Sequence, residues 1–181
     1  MLYTKKGDDG KTNVYGCDQK ISKSSAITEA LGSLDEANSF LGVCKVKTKN
    51  IEYRILNIEI HEIIHKIQNN LFTIQAQVAG ADKKILEDDV LWLEKIISEI
   101  DKELPEIKSF LISGANDISA NFDFARTLAR RAERRVVAVS EESITKVDSF
   151  TLSYMNRLSS LLYALARYFA TESGVEESPT Y

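Results

Sequence analysis

Apolar residues recur along this chain at intervals of three and four, the spacing that lines one face of an α-helix. After Ser24 and Ser25, either able to cap a helix, Ile27, Ala30, Leu34, Ala37 and Leu41 form one such stripe. Asp35 stands about one residue-step from it, close enough to the core to want a cationic partner. A second stripe, Tyr53, Ile60, Ile64, Ile67, Leu71, Ile74 and Val78, predicts a long helix from Ile51 to about Ala79. Gly80 and the polar residues after it break the chain. Val90, Leu93, Ile96, Ile97 and Ile100 then predict a third helix, from Glu87 to about Leu104, closed by Pro105. Ser109 to Gly114 reads as an apolar connector, and an apolar loop either plugs a bundle end or meets an apolar ligand. A fourth helix is expected over 116–140 and a fifth over 143–173, the latter with Met155, Leu158, Leu162, Leu165, Ala166 and Phe169 inward. Beside them Asn156, Ser160, Tyr163 and Arg167 make a polar line. Tyr154, Leu161 and Tyr168 add an apolar edge that suggests an oligomer contact. The pattern is that of an all-α bundle in one domain, 1–181, with a loose tail over 174–181.

The first 22 residues break the pattern. Gly7, Gly10 and Gly16 punctuate a segment carrying Asp8, Asp9, Lys5, Lys6, Lys11 and Thr12. Such a loop can wrap phosphates with backbone N–H groups, although GxxxxGK[ST] is absent; a loose N-terminal arm is the plain alternative.

The fourth helix carries the chemistry. At about 100° per residue, Arg126, Arg130 and Glu133 fall within ~60° of each other, with Arg134 at the edge and Arg131 and Arg135 turned away. Ala125, Ala129, Ala132 and Val136 form the adjoining stripe and admit a close neighbour. The face is either a solvated basic surface tied into salt bridges or a polyphosphate clamp, since guanidinium forks grip phosphate oxygens in pairs. His61 and His65 lie in an HExxH match, but these are the chain's two histidines, so a third ligand would have to be a glutamate such as Glu87 or Glu94. Short motifs match by chance and these glutamates suit a charged helix surface, so zinc is not expected. Net charge is −4, which argues against general nucleic-acid binding and makes any basic site local. The 44% hydrophobic and 28% charged balance suits a soluble globular protein. No apolar run reaches membrane-span length, no secretory leader is evident, and two cysteines build no disulfide framework; cytoplasm is the expected compartment. These features leave two functional classes open: an enzyme acting on a nucleotide or polyphosphate, and a non-catalytic helical module docking an acidic partner on the arginine face.

Four segments in order narrow the choice: Thr4 to Thr12 (TKKGDDGKT), Gly32 to Ser39 (GSLDEANS), Ala125 to Arg134 (ARTLARRAER) and Tyr154 to Ser159 (YMNRLS). Together they resemble the PduO-type ATP:cob(I)alamin adenosyltransferases from Tyr3 to about Thr171. The resemblance implies a five-helix bundle with a four-helix, ferritin-like core, assembled as a homotrimer with active sites between subunits. It implies transfer of the 5′-deoxyadenosyl group of ATP to the cobalt of reduced cobalamin, with release of triphosphate and participation of Mg²⁺. Reduction to Co(I) calls for a reductase partner that the sequence does not name. By the same resemblance the N-terminal loop folds over the triphosphate through Thr4, Lys5, Lys6 and Gly7, together with Thr12 and Asn13. Lys23 matches a further phosphate lysine, and Arg130, Arg131, Glu133, Arg134 and Asn156 match the ATP-contacting set. Asp35 and Arg126 match an intersubunit salt bridge, and Phe110 matches an aromatic residue that keeps ligands off the lower face of cobalt. Two departures fall on the corrin side: Ser160 replaces a usual Asp, and Ser113-Gly114-Ala115 a usual Pro-Gly-Gly.

Overall fold

The structure, a computed structural model, describes residues 3–15, 20–106, 111–142 and 145–174. Five helices dominate: α1 (Ala26–Thr48), α2 (Ile60–Val78), α3 (Glu87–Asp101), α4 (Asp117–Glu141) and α5 (Ser149–Glu172). Two short antiparallel ribbons accompany them, β1 (Lys11–Thr12) with β2 (Ile21–Ser22), and β3 (Arg54–Ile55) with β4 (Ile58–Glu59). The helices pack in the spatial order α2, α1, α4, α5, α3. Side chains close the ring: Asn70 on α2 donates to Asp89 on α3 at 3.3 Å, and the Lys66 ammonium sits 4.1 Å from the centre of the Trp92 ring.

The inward faces are those the spacing predicts. Leu34, Leu41, Ile64, Ile67, Leu71, Ile74, Leu93, Ile96, Leu158, Leu162 and Leu165 are all at or below 1% exposure, one continuous apolar core. Burial of such side chains, each contributing about 1.5–3 kcal/mol, is what holds the bundle. Tyr154 and Leu161 belong to this core, both fully buried, and Tyr168 stacks on Tyr53 with ring centres 3.9 Å apart. That edge is therefore satisfied within the chain and gives no ground for an oligomer contact.

Three boundaries differ from the periodicity. The second helix does not begin at Ile51. Leu56 and Asn57 both take positive φ, 54° and 64°, and make a two-residue hairpin turn joining β3 to β4 before Ile60 starts α2. The Glu62 carboxylate then accepts from the Glu59 N–H at 3.4 Å at the start of α2. The third helix ends at Asp101 rather than Leu104, and the fifth begins at Ser149 because Asp148 caps it, accepting from the Thr151 N–H at 2.8 Å. Gln77, at the end of α2, donates to the same Asp148 carboxylate and accepts from the Thr151 hydroxyl at 2.7 Å, tying α2 to α5.

Helix α4 starts on a capping box. Asn116 accepts from Ser119 N at 2.8 Å, while Ser119 Oγ accepts from Asn116 N at 3.1 Å. The Asn116 amide also donates to the Phe169 carbonyl at 2.5 Å, which fixes the start of α4 against the end of α5. Ala125, Ala129 and Ala132, each at most 1% exposed, then let α4 lie close between α1 and α5. No described helix is long and apolar enough to cross a membrane.

Candidate active site

Because α4 is wedged between α1 and α5, its polar residues are sorted onto two sides. Toward α5 lie Arg126, Arg130, Glu133 and Arg134; toward α1 lie Arg131 and Arg135, as the helical phase requires.

The α5 side has two adjoining hollows. One, of about 340 Å³, is lined by Arg126 and Arg130 of α4, by Ser159, Ser160, Tyr163 and Ala164 of α5, and by Ile97, Asp101 and Leu104 at the end of α3. The other, of about 290 Å³, is lined by Arg130, Glu133, Arg134, Val137 and Asn156. Arg130 belongs to both. The first mixes apolar walls with two guanidinium groups; the second carries two guanidinium groups, a carboxylate and an amide beside Val137. Glu133 is held by Asn156, whose amide donates at 3.1 Å; Asn156 in turn accepts from Arg157 at 2.8 Å, and Arg157 is anchored on Glu94 at 2.8 Å. This chain of contacts fixes the polar hollow's one carboxylate and spares Arg130 and Arg134, neither of which forms an ion pair with a described residue. In the single chain both are exposed, whereas Arg126 is half buried, with 29% side-chain exposure, beside Asp123.

The α1 side is built differently. Arg131 is paired with Glu36, and Arg135 lies 3.7 Å from Glu29. These residues, with Lys23, Thr28, Gly32 and Ser33, line a third hollow of about 540 Å³. The N-terminal loop reaches it through Lys23, which donates to the Gly7 carbonyl at 2.7 Å. The turn is close-packed at Gly7: a Cβ would stand 3.3 Å from the Lys11 carbonyl and 2.9 Å from the Lys23 Nζ, and would push the lysine off its contact. Lys20 donates to the Lys6 carbonyl and to Asp9, each at 2.9 Å, and this contact, with the Lys11 N–H, holds the Asp9 carboxyl below its ordinary value. Thr4, Lys5 and Lys6 precede the Gly7 turn and are exposed, as is Asn13; Thr12 pairs with Ile21 in the ribbon.

The residues expected to form one nucleotide site thus fall into two sets within the chain. Arg130, Glu133, Arg134 and Asn156 come together; Gly7, Lys23 and Arg131 come together on the other side of α4. Asp35 is exposed on α1 and makes no hydrogen bond or ion pair with a described residue; it is not beside Arg126 of its own chain, which faces Asp123 instead. Phe110 lies outside the described residues. His61 is turned toward Glu59 at 3.2 Å and His65 toward Asn69 at 3.5 Å, and among the described residues no three His, Cys, Asp or Glu gather as a metal cage. Asp123 escaped the sequence reading. It precedes Arg126 by three positions, one helical turn, but its place between Phe122 and Phe124 hides it among core residues.

With this geometry in view, comparison with known proteins is direct. The cobalamin adenosyltransferase family profile matches residues 2–169. The corrinoid adenosyltransferase PduO of Citrobacter freundii is 36% identical over 173 residues, covering 92% of this chain and 49% of that protein. A corrinoid adenosyltransferase of Bacillus subtilis is 34% identical over 175 residues, covering 96% and 89%. The chain therefore spans about half the length of the Citrobacter PduO and most of the Bacillus protein. Among solved structures, a variant PduO-type ATP:corrinoid adenosyltransferase from Lactobacillus reuteri, complexed with cobalamin and ATP, superposes with a TM-score of 0.84 at 30% identity. That match covers 100% of this chain and 99% of the other.

Proposed function

Since the chain belongs to the cobalamin adenosyltransferase family, we propose that it transfers the 5′-deoxyadenosyl group of ATP to the cobalt of cob(I)alamin and releases triphosphate. One observation carries this reading: Arg130 is the wall shared by an apolar-sided hollow and a polar one. A flat corrin needs apolar walls, a triphosphate needs guanidinium forks, and the reacting C5′ lies between the two groups.

In the transfer the Co(I) electron pair forms the Co–C5′ bond as the C5′–O bond breaks. Triphosphate departs with that bond's electron pair, and cobalt ends two electrons more oxidised. The nucleophile is supplied by the substrate, so the protein's task is to hold C5′ over cobalt and to stabilise charge on the leaving oxygen. Arg130 and Arg134 serve the second need, and Glu133, kept in place by Asn156, helps to orient the nucleotide. Mg²⁺ would enter on the triphosphate, a mode that requires few protein ligands and fits the polar hollow, whose one carboxylate is Glu133. Reduction of cobalt to Co(I) falls to a separate reductase. The cytoplasm suits both that chemistry and the free thiol of Cys44.

The two residue sets on either side of α4 are joined by assembly. In a homotrimer the loop side of one subunit, with Thr4 to Gly7, Thr12, Asn13, Lys23 and Arg131, covers the Arg130 side of the next, and Asp35 meets Arg126 across the contact. Exchanging Asp35 and Arg126 should restore trimer sedimentation that either single charge removal weakens; strictly additive losses would remove this pairing. The reaction is tested by incubating the protein with ATP, Mg²⁺ and chemically reduced cobalamin while adenosylcobalamin is followed by absorbance. A folded protein yielding no product under any reductant defeats the assignment.

A further inference from the structure

Asp123 and Arg167 form a buried ion pair between α4 and α5, at 4% and 3% exposure, with Arg167 Nη2 2.5 Å from Asp123 Oδ2. The second carboxylate oxygen, Oδ1, faces Arg126 Nε at 3.9 Å, beyond hydrogen-bond reach. That Nε is itself buried without a hydrogen-bond partner. The Arg167 guanidinium carbon also lies 5.3 Å from the centre of the Tyr163 ring. Arg126 and Tyr163 both line the hollow that Arg130 shares. One buried pair therefore sits behind two walls of the site.

A buried pair is a poor device for stability, because apolar residues of similar volume often serve equally well or better. Its location suggests another use. Arg167 takes the near oxygen of Asp123 and fixes the carboxylate. The remaining negative charge draws the Nε edge of Arg126 inward without capturing it, which leaves the two terminal nitrogens of Arg126 turned to the hollow and free to meet Asp35 of the adjoining subunit there. The geometry points to Asp123 and Arg167 as positioning residues that aim Arg126, and through Arg167 also Tyr163, into the hollow, where Arg126 is to meet Asp35 of the adjoining subunit. This inference rests on the proposed adenosyl transfer and adds to it two residues that touch neither substrate.

Two variants test it. Asp123→Asn keeps an acceptor but removes the charge; Asp123→Leu combined with Arg167→Met replaces the pair by apolar volume. Both should stay folded, with kcat reduced by about 10²-fold, the effect of a small misplacement of a reacting group, and the KM for ATP changed by less than about twofold. In protein made with isotope-labelled arginine, the Arg126 Nε–H resonance should be sharp in the wild type and broadened in both variants. A folded double variant with wild-type kcat overturns the proposal. So does a double variant that no longer folds, because the pair would then be holding the helices together rather than aiming a side chain. Should the wild type form no adenosylcobalamin, the reaction assignment fails by itself. The resonance still decides the positioning role, and an unchanged Arg126 signal in Asp123→Asn refutes it.

Discussion

On its α1 side, α4 presents Arg131 and Arg135 to Glu36 and Glu29; on its α5 side it presents Arg126, Arg130 and Arg134 to two hollows. The residue type is the same and the helix is the same, but the partners are not. The α1-side pairs are exposed, with side-chain exposures near one half, and exposed pairs contribute only about 0–1 kcal/mol. On the α5 side three carboxylates are engaged by other partners, Glu133 by Asn156, Glu94 by Arg157 and Asp123 by Arg167, and Asp101 in the first hollow forms no ion pair with a described residue. Arginines whose neighbouring acids are already engaged remain available to an outside anion. A basic stripe is a binding surface to the extent that its own fold declines to neutralise it.

The sharpest way to break this contrast is Arg130→Ala. Loss of a donor aimed at developing charge should lower kcat by about 10²–10³-fold with the melting temperature unchanged. A loss under tenfold would mean that the shared wall between the hollows is incidental. Next comes Arg131→Ala against Arg135→Ala. The two residues share the α1 side, but Arg131 is the one that resemblance assigns to ATP. If subunits complete one another's sites, Arg131→Ala should raise the KM for ATP by about tenfold, one fork's share of phosphate binding, while Arg135→Ala stays within about twofold. Equal effects at both positions would return the whole α1 side to ordinary surface. The smallest effect concerns the far end of that side, where Lys47 pairs with Asp117 at 2.5 Å. The Lys47 contact lowers the Asp117 pKa below 3.8, so its stabilisation is present above that value and is lost as pH falls through the folded pKa. Between pH 5 and 7 the Lys47→Met variant should therefore show a constant, small deficit in melting temperature, which shrinks below about pH 4. A deficit that persists unchanged into acid would show that the pair's charge is not its contribution.

The phase of α4 was legible in the sequence because 3.6-residue periodicity sorts Arg126, Arg130 and Arg134 from Arg131 and Arg135 with no knowledge of neighbours. The inner stripes were legible for the same reason. What periodicity could not show was partnership across helices: Glu36 for Arg131, Arg167 for Asp123 and Asn156 for Glu133 join positions far apart in the chain. The hairpin before α2 stayed hidden because its turn uses Leu56, which gives no turn signal, at a positive φ that leucine seldom adopts. Ile55, Ile58 and Ile60 also fit a helical stripe as readily as a ribbon leading into one. The surplus apolar edge on α5 was misread because the sequence counts apolar residues without showing how many neighbouring helices surround them; α5 lies between α4 and α3 and buries more than one face.

The bond from Lys23 to the Gly7 carbonyl makes the loop's order and the lysine's charge one and the same resource. An ammonium carries three N–H donors, so Lys23 can take a phosphate oxygen while still holding the Gly7 carbonyl. A nucleotide bound there would then tighten the loop rather than release it. Trypsin, which cuts after Lys5, Lys6 and Lys11, can report on this: cleavage should fall steadily as ATP is added. A rise in cleavage at subsaturating ATP would mean that the ligand displaces Gly7 from Lys23.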